Sequence, residues 1–157
     1  PKSGVVFKDI TPLLADSKAF AQMISEFANR YRDSRISKIC GIESRGFIIG
    51  AALALKLGIG FVPIRKAGKL PYKTRKKEYS LEYGTDTVEI HEDAITKGEK
   101  VVLVDDLIAT GGTACAGLEL LEELGADVIE VAFAIELSFL KGIEKLPGRK
   151  VFSLLTF

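Results

Sequence analysis

Four consecutive branched apolar residues, Val101-Val102-Leu103-Val104, make poor surface. Such a run suits a central strand of a parallel sheet, covered on both faces. Asp105 and Asp106 follow where the strand is expected to end. Thr110-Gly111-Gly112-Thr113 then forms a short polar turn ahead of an amphipathic helix. This order gathers carboxylates and free backbone N–H groups at one mouth. A ligand with both hydroxyls and a phosphate suits such a mouth.

The remainder of the chain fits around that strand. Asp16 or Ser17 is placed to cap a helix whose Phe20, Ile24, Phe27 and Tyr31 recur on one face. Ser37 to Ile42 reads as a strand, Glu43-Ser44-Arg45-Gly46 as a polar turn, and Phe47 to Leu55 as a helix apolar nearly all round. Phe61 to Ile64 is a second short strand. Arg65 to Lys77 carries seven of the 22 basic residues and is expected to be a loop, because so polar a segment cannot bury itself. Glu78 to Glu82 and Thr87 to His91 are candidate arms of a hairpin. Ala114, Leu118, Leu121 and Leu124 mark the inner face of the helix that Gly125 ends. Val128 to Ile135 reads as a strand, Phe139 to Leu146 as a short helix, and Val151 to Leu155 as a last strand. Gly4 to Ile10 is either an edge strand or a loop.

Alternating strands and helices define an α/β fold, with a mostly parallel sheet between layers of helices. The length of 157 residues suits a single domain spanning 1–157. Ligands of such sheets bind beyond the carboxyl ends of the strands. Three polar turns follow strands in this way, at Glu43–Gly46, Arg65–Lys69 and Asp105–Thr113, and are expected to meet in one cleft.

Bulk composition excludes several classes. The net charge of +1 favours no particular partner, nucleic acid included. One histidine, His91, and two cysteines without metal-ligand spacing, Cys40 and Cys115, argue against a zinc site and suit a reduced, cytoplasmic protein. The longest apolar run, Gly46 to Leu55, is too short for a bilayer, which takes about 20 residues.

At the mouth, two adjacent carboxylates can accept hydrogen bonds from a ribose cis-diol or hold a hydrated Mg²⁺. An Asp-Asp pair alone is equally well a pair of surface residues. The Thr-Gly-Gly-Thr turn beside it tips the balance: glycines admit an anion, hydroxyls donate, and the helix N-terminus adds about half a positive charge. No Gly-Lys-Ser/Thr follows and no Gly-x-Gly-x-x-Gly is present, so the loop suits one terminal phosphate. Arg45 and Arg65 each follow a strand, which makes them poorer candidates for incidental surface charge.

Val101 to Thr113 resembles the phosphoribosyl-diphosphate signature of the type I phosphoribosyltransferases: apolar strand, two acidic residues, phosphate loop. Gly4 to Ile10, Glu43 to Phe47, Arg65 to Pro71, Tyr79 to Gly84 and Glu136-Leu137 resemble the adenine phosphoribosyltransferase branch of that family. The resemblance implies that family's fold, with a small hood of N- and C-terminal segments over the site. It also implies transfer of a 5-phosphoribosyl group from phosphoribosyl diphosphate to adenine, giving AMP and pyrophosphate. The family's further helix before Gly4 is expected to be missing here.

Residue by residue, the resemblance implies that Asp105 and Asp106 bind the ribose hydroxyls and that Ala109, Thr110, Gly111, Gly112 and Thr113 cradle the 5-phosphate. Ser44, Arg45, Arg65, Lys66 and Lys69 would face the pyrophosphate, with a cis Glu43–Ser44 peptide. Adenine would lie between Phe7 and Leu137, its edge read by backbone groups of Val6 and Lys8. Glu82 and Arg45 would be catalytic, with Tyr83 on the closing loop. Mg²⁺ would be held through the substrate, with no direct protein ligand, and the chain would form a homodimer. Two alternatives stay open: a relative acting on a 6-oxo purine, and a regulator on the same fold that senses phosphoribosyl diphosphate and binds nucleic acid.

Overall fold

The computed structural model describes residues 9–81 and 83–157. Seven strands form one sheet: β1 (Lys38–Ile42), β2 (Gly60–Lys66), β3 (Thr74–Ser80), β4 (Thr85–His91), β5 (Lys100–Ile108), β6 (Asp127–Glu136) and β7 (Val151–Thr156). Their order is β3-β4-β2-β1-β5-β6-β7, parallel from β2 to β7, with β4 and β3 antiparallel at one end. The helices are α1 (Thr11–Ala15), α2 (Ser17–Tyr31), α3 (Arg45–Leu57) and α4 (Gly112–Glu123).

Alternation along the central strands divides the core in two. Ile39, Val102, Val104, Ala132 and Ala134 point to the face covered by α2 and α3. Cys40, Ile42, Val101, Leu103, Val131 and Phe133 point to the face covered by α4. Successive side chains of a strand alternate faces, so a continuous apolar run requires both to be covered. Val101 to Val104 meets that condition, all four being fully buried.

The Asp16 carboxylate caps α2 by accepting from the Lys18 and Ala19 N–H groups, at 3.0 and 3.1 Å. Ile24, Phe27 and Tyr31 are buried on its inner face, joined by Met23 and Ala28, while Phe20 is only partly buried. Gly125 takes up a left-handed φ of 88° just beyond α4, as expected.

Three expectations are corrected. The basic segment 65–77 is not one loop: Arg65 and Lys66 finish β2, and Thr74 onward forms β3. Of its cations, Arg75, Lys76 and Lys77 sit on the edge strand β3, where one face is wet and the register is set by pairing with β4. Phe139 to Leu146 is not a helix but two 3₁₀ turns, Ser138–Leu140 and Gly142–Lys145. Lys141, at φ 55°, breaks the segment between them. Finally, Asp105 and Asp106 do not end β5, because pairing with β6 continues to Ile108. Helix α1 was not foreseen; Pro12 in its first turn and the Asp9 carboxylate accepting from the Thr11 N–H are its local causes. Of Gly4 to Ile10 only Asp9 and Ile10 are described, and neither lies in a strand. No helix among the described residues is long and apolar enough to cross a membrane.

Candidate active site

The three polar turns meet at the carboxyl ends of adjacent strands. β1 lies between β2 and β5, so the residues after it touch both neighbours. Towards β5, Arg45 in the first turn of α3 donates from Nε to Asp106 Oδ2 at 2.5 Å. Towards β2, the Glu43 carboxylate accepts from the Lys66 N–H at 2.7 Å and from Lys69 Nζ at 2.5 Å, and Arg65 Nε lies 3.4 Å away. The Glu43–Ser44 peptide is cis, as the resemblance implied.

Close approach of α3 to β5 depends on Gly46. A Cβ there would lie 2.8 Å from Asp105 Oδ1 and 3.2 Å from the Val104 carbonyl oxygen. Only glycine lets the first turn of α3 settle against the acidic pair. Asp105 Oδ1 also accepts from the Asp106 N–H at 2.8 Å. Burial, and then the neighbouring Asp106 carboxylate, hold the Asp105 carboxyl well above the usual range. Bound hydroxyl donors would favour its charged form, because hydrogen bonds to a carboxylate stabilise the anion.

Ala109 to Thr113 curve into a cavity of about 120 Å³ that Asp105 also lines. Gly111 precedes α4 with φ 87°, a conformation that side chains resist. A Cβ on it would run into the Gly142 carbonyl, and one on Gly142 into the Ala109 carbonyl. The loop is thus braced from behind by the turn Gly142–Lys145. Its free N–H groups open on the cavity at the positive end of α4.

Lys66 has its own acid partners. Its Nζ donates to Asp86 Oδ2 at 2.7 Å and to the Tyr79 hydroxyl, and lies 5.0 Å from the Tyr79 ring centre. Burial alone would lower the Lys66 pKa, but these hydrogen bonds leave it raised. Arg65 lies 5.7 Å from the Phe47 ring centre. For Glu43 burial pushes the pKa up, but Lys69, the Lys66 N–H and Arg65 more than reverse this. Every expected pyrophosphate-binding cation therefore already faces a carboxylate: Arg45 with Asp106, Arg65 and Lys69 with Glu43, Lys66 with Asp86.

Asp105, Asp106, Ala109–Thr113, Ser44, Arg45, Arg65, Lys66 and Lys69 thus fall in one continuous region. Leu137 is 2% exposed, within the core, and donates its N–H to the Ile108 carbonyl at 3.0 Å. Val6, Phe7, Lys8 and Glu82 lie outside the described residues. Tyr83 is strongly exposed at the hairpin tip. Sequence reasoning placed Glu43 and Gly46 in a cleft-forming turn without giving either a role, and missed Asp86 and Gly142. Glu43 had a signal, standing directly after a strand; the others are intelligible only through partners remote in the chain.

This combination, an acidic pair beside a glycine loop and a basic strand-end turn, agrees with what the chain is similar to. The phosphoribosyl transferase domain matches residues 9–153. Adenine phosphoribosyltransferase of Syntrophotalea carbinolica is 60% identical over 157 residues, covering 100% of this chain and 92% of the relative. The crystal structure of adenine phosphoribosyltransferase from Thermoanaerobacter pseudethanolicus superposes with a TM-score of 0.95 at 52% identity, covering 100% of this chain and 91% of that one. The Saccharomyces cerevisiae enzyme, complexed with D-2,5-dideoxy-2,5-imino-altritol 1,6-bisphosphate and adenine, gives 0.93 at 46% identity, covering 98% and 89%. The chain belongs to the type I phosphoribosyltransferases and, within them, to the adenine phosphoribosyltransferases.

Proposed function

We propose that the protein transfers the 5-phosphoribosyl group of phosphoribosyl diphosphate to adenine, giving AMP and pyrophosphate. The contact that supports this most directly is Arg45 on Asp106, which joins the basic turn to the phosphate cradle across β1 and β5. A ligand spanning the two would carry a phosphate at one end and a more highly charged anion at the other.

In this reading the loop Ala109–Thr113 anchors the 5-phosphate through backbone N–H groups and the dipole of α4. Asp105 and Asp106 accept from the ribose hydroxyls and fix the ring. Adenine occupies a slot formed by Val6, Phe7, Lys8 and Leu137. One bond forms, from the attacking adenine nitrogen to C1, and one breaks, from C1 to the pyrophosphate oxygen. The bonding pair leaves on pyrophosphate. Positive charge grows on the sugar ring and negative charge on the departing oxygens. Ser44, Arg45, Arg65, Lys66 and Lys69 stabilise the departing anion, exchanging internal carboxylates for phosphate oxygens. Glu82 receives the proton of the attacking nitrogen, and the hairpin that carries Glu82 and Tyr83 closes over the site to exclude water.

Among the described residues no group of three or more ligating side chains stands ready for a metal. With Asp106 engaged by Arg45 and the acidic pair given to the ribose hydroxyls, Mg²⁺ would be held through substrate oxygens and water, with no direct protein ligand. When bound, Mg²⁺ would neutralise charge on the pyrophosphate. A cytoplasmic homodimer completes the proposal. The exposed stripe of Ile48, Ala51 and Leu55 on α3 supports association, since covering it would remove apolar surface from water.

The test is AMP formation from adenine and phosphoribosyl diphosphate, with hypoxanthine as the competing base. Preference for hypoxanthine, or no product, overturns the assignment. In the same assay Glu82→Gln is expected to lower kcat by about a hundredfold. Normal turnover removes Glu82 from the mechanism.

A further inference from the structure

The turn Gly142–Lys145 does more than brace the loop. Its last residue, Lys145, lines a cavity of about 580 Å³ together with Thr110, Gly112 and Thr113 of the phosphate loop and Tyr79, Ser80 and Leu81 of the hairpin. Lys145 Nζ is 4.0 Å from where a Gly112 Cβ would stand, so the ammonium sits beside the first residue of α4. The backbone contacts of Gly142 with Gly111 and Ala109 fix the turn against the loop, and Lys145 follows three residues later.

Its electrostatic situation differs from that of the other cations. Arg45, Arg65, Lys66 and Lys69 each face a carboxylate. Lys145 has no carboxylate at ion-pair distance among the described residues. Glu119 lines the adjoining cavity of about 240 Å³ with Lys145, but it faces Lys77 at 3.7 Å. A cation without a partner, held beside the positive end of a helix, raises the local potential and favours an anion there. No carboxylate among the described residues neutralises it at ion-pair distance; a bound phosphate dianion would.

We infer that Lys145, carried on the Gly142–Lys145 turn, is a positioning residue for the 5-phosphate of the phosphoribosyl substrate. It would supply the charge that the neutral backbone cradle lacks. This rests on the proposed function, because the phosphate belongs to that substrate. Its reach should include any ligand with the 5-phosphate and no ligand without it.

The test compares Lys145→Ala and Lys145→Arg with the wild type in two measurements. The first is steady-state kinetics; the second is calorimetric binding of AMP and of adenosine, which lacks the phosphate. Lys145→Ala is expected to raise KM for phosphoribosyl diphosphate roughly threefold to tenfold, as suits one exposed charge. The effect should fall on that KM more than on kcat or on KM for adenine. AMP affinity should drop by a similar factor, adenosine affinity should hold, and Lys145→Arg should restore most of the loss. Added salt should narrow the gap between wild type and Lys145→Ala. If wild type binds AMP and Lys145→Ala binds it equally well, or if adenosine weakens as much as AMP, the Lys145 role is overturned while the function stands. If wild type binds neither AMP nor phosphoribosyl diphosphate, the function fails and the Lys145 role fails with it.

Discussion

Asp105 on β5 and Glu43 just after β1 occupy neighbouring strands of the same cleft, and both are half-buried. Their proton equilibria nevertheless move in opposite directions. Asp105 is held above the usual carboxylate range by burial and by the like charge of Asp106. Glu43 is held below it because Lys69, the Lys66 N–H and Arg65 outweigh its burial. The end of the cleft proposed for the 5-phosphate is built from backbone at the positive end of α4, beside an acidic pair that awaits hydroxyls. The pyrophosphate end is built from long side chains whose charges are already matched internally. One half is shaped in advance; the other must trade partners when its ligand arrives.

The most severe way to break this contrast is Gly111→Val. The side chain would need φ 87° and would meet the Gly142 carbonyl, so phosphoribosyl diphosphate binding should vanish and stability fall by about 3 kcal/mol. Isothermal calorimetry and thermal melts check both; unchanged affinity would mean that the loop is not the phosphate cradle.

Next in size is Asp105→Asn combined with Asp106→Asn, expected to lower kcat/KM by about a hundredfold or more with far-UV circular dichroism unchanged. The single change Asp105→Asn separates stability from activity. In the folded state Asp105 keeps its proton to a higher pH than in the unfolded chain. Its charge therefore costs the ligand-free protein stability as pH rises from the ordinary carboxylate range through the raised value. The variant should melt higher than wild type at neutral pH while losing activity. A lower Tm would contradict the burial of charge at this position.

Glu43→Gln reads the other half. Its folded pKa is depressed, so its stabilisation is complete above the ordinary carboxylate range and is lost as pH falls through the lower folded value. The substitution should cost about 1 kcal/mol near neutrality, leave Tm less steep on the acid side, and raise KM for phosphoribosyl diphosphate about tenfold. An unaltered acid limb would show that Glu43 is not held as the contacts indicate.

The smallest effect on activity belongs to Arg30→Ala, far from the cleft. Arg30 donates to both oxygens of Glu130, at 2.5 and 2.9 Å, and the Tyr31 hydroxyl joins at 2.7 Å. Burial pushes Glu130 up, but these donors hold it below the usual range. Loss of Arg30 should destabilise by about 1–2 kcal/mol and leave KM values untouched. A kinetic effect would mean that the distal strut is coupled to the site.

Much of the architecture could be read from local pattern. The apolar run at Val101, the Asp16 cap and the helical spacing of Ile24, Phe27 and Tyr31 are each encoded within one or two turns of chain. The glycine loop was legible for the same reason, since a glycine turn between strand and helix is a local motif. Reading Arg65 to Lys77 as a loop failed because polarity was taken for exposure on every side. An edge strand such as β3 satisfies its backbone through one partner and can leave most of its side chains in water. Phe139 to Leu146 misled in the opposite way, since apolar content alone does not secure the hydrogen bonds of a helix.

By itself, then, the sequence determined most of the elements, the acidic pair, the glycine loop and the supply of basic residues at the ends of β1 and β2. Tertiary structure alone decided which charges meet. Arg45 and Asp106 are 61 residues apart, Glu43 and Lys69 are 26, and Lys66 and Asp86 are 20. Strand order brings these together, and no local periodicity announces a partner so far along the chain. The same holds for Gly111 and Gly142, whose contact places Lys145 beside the loop. Local pattern follows from the geometry of a few consecutive residues; pairing of charges depends on where the sheet sets its strands.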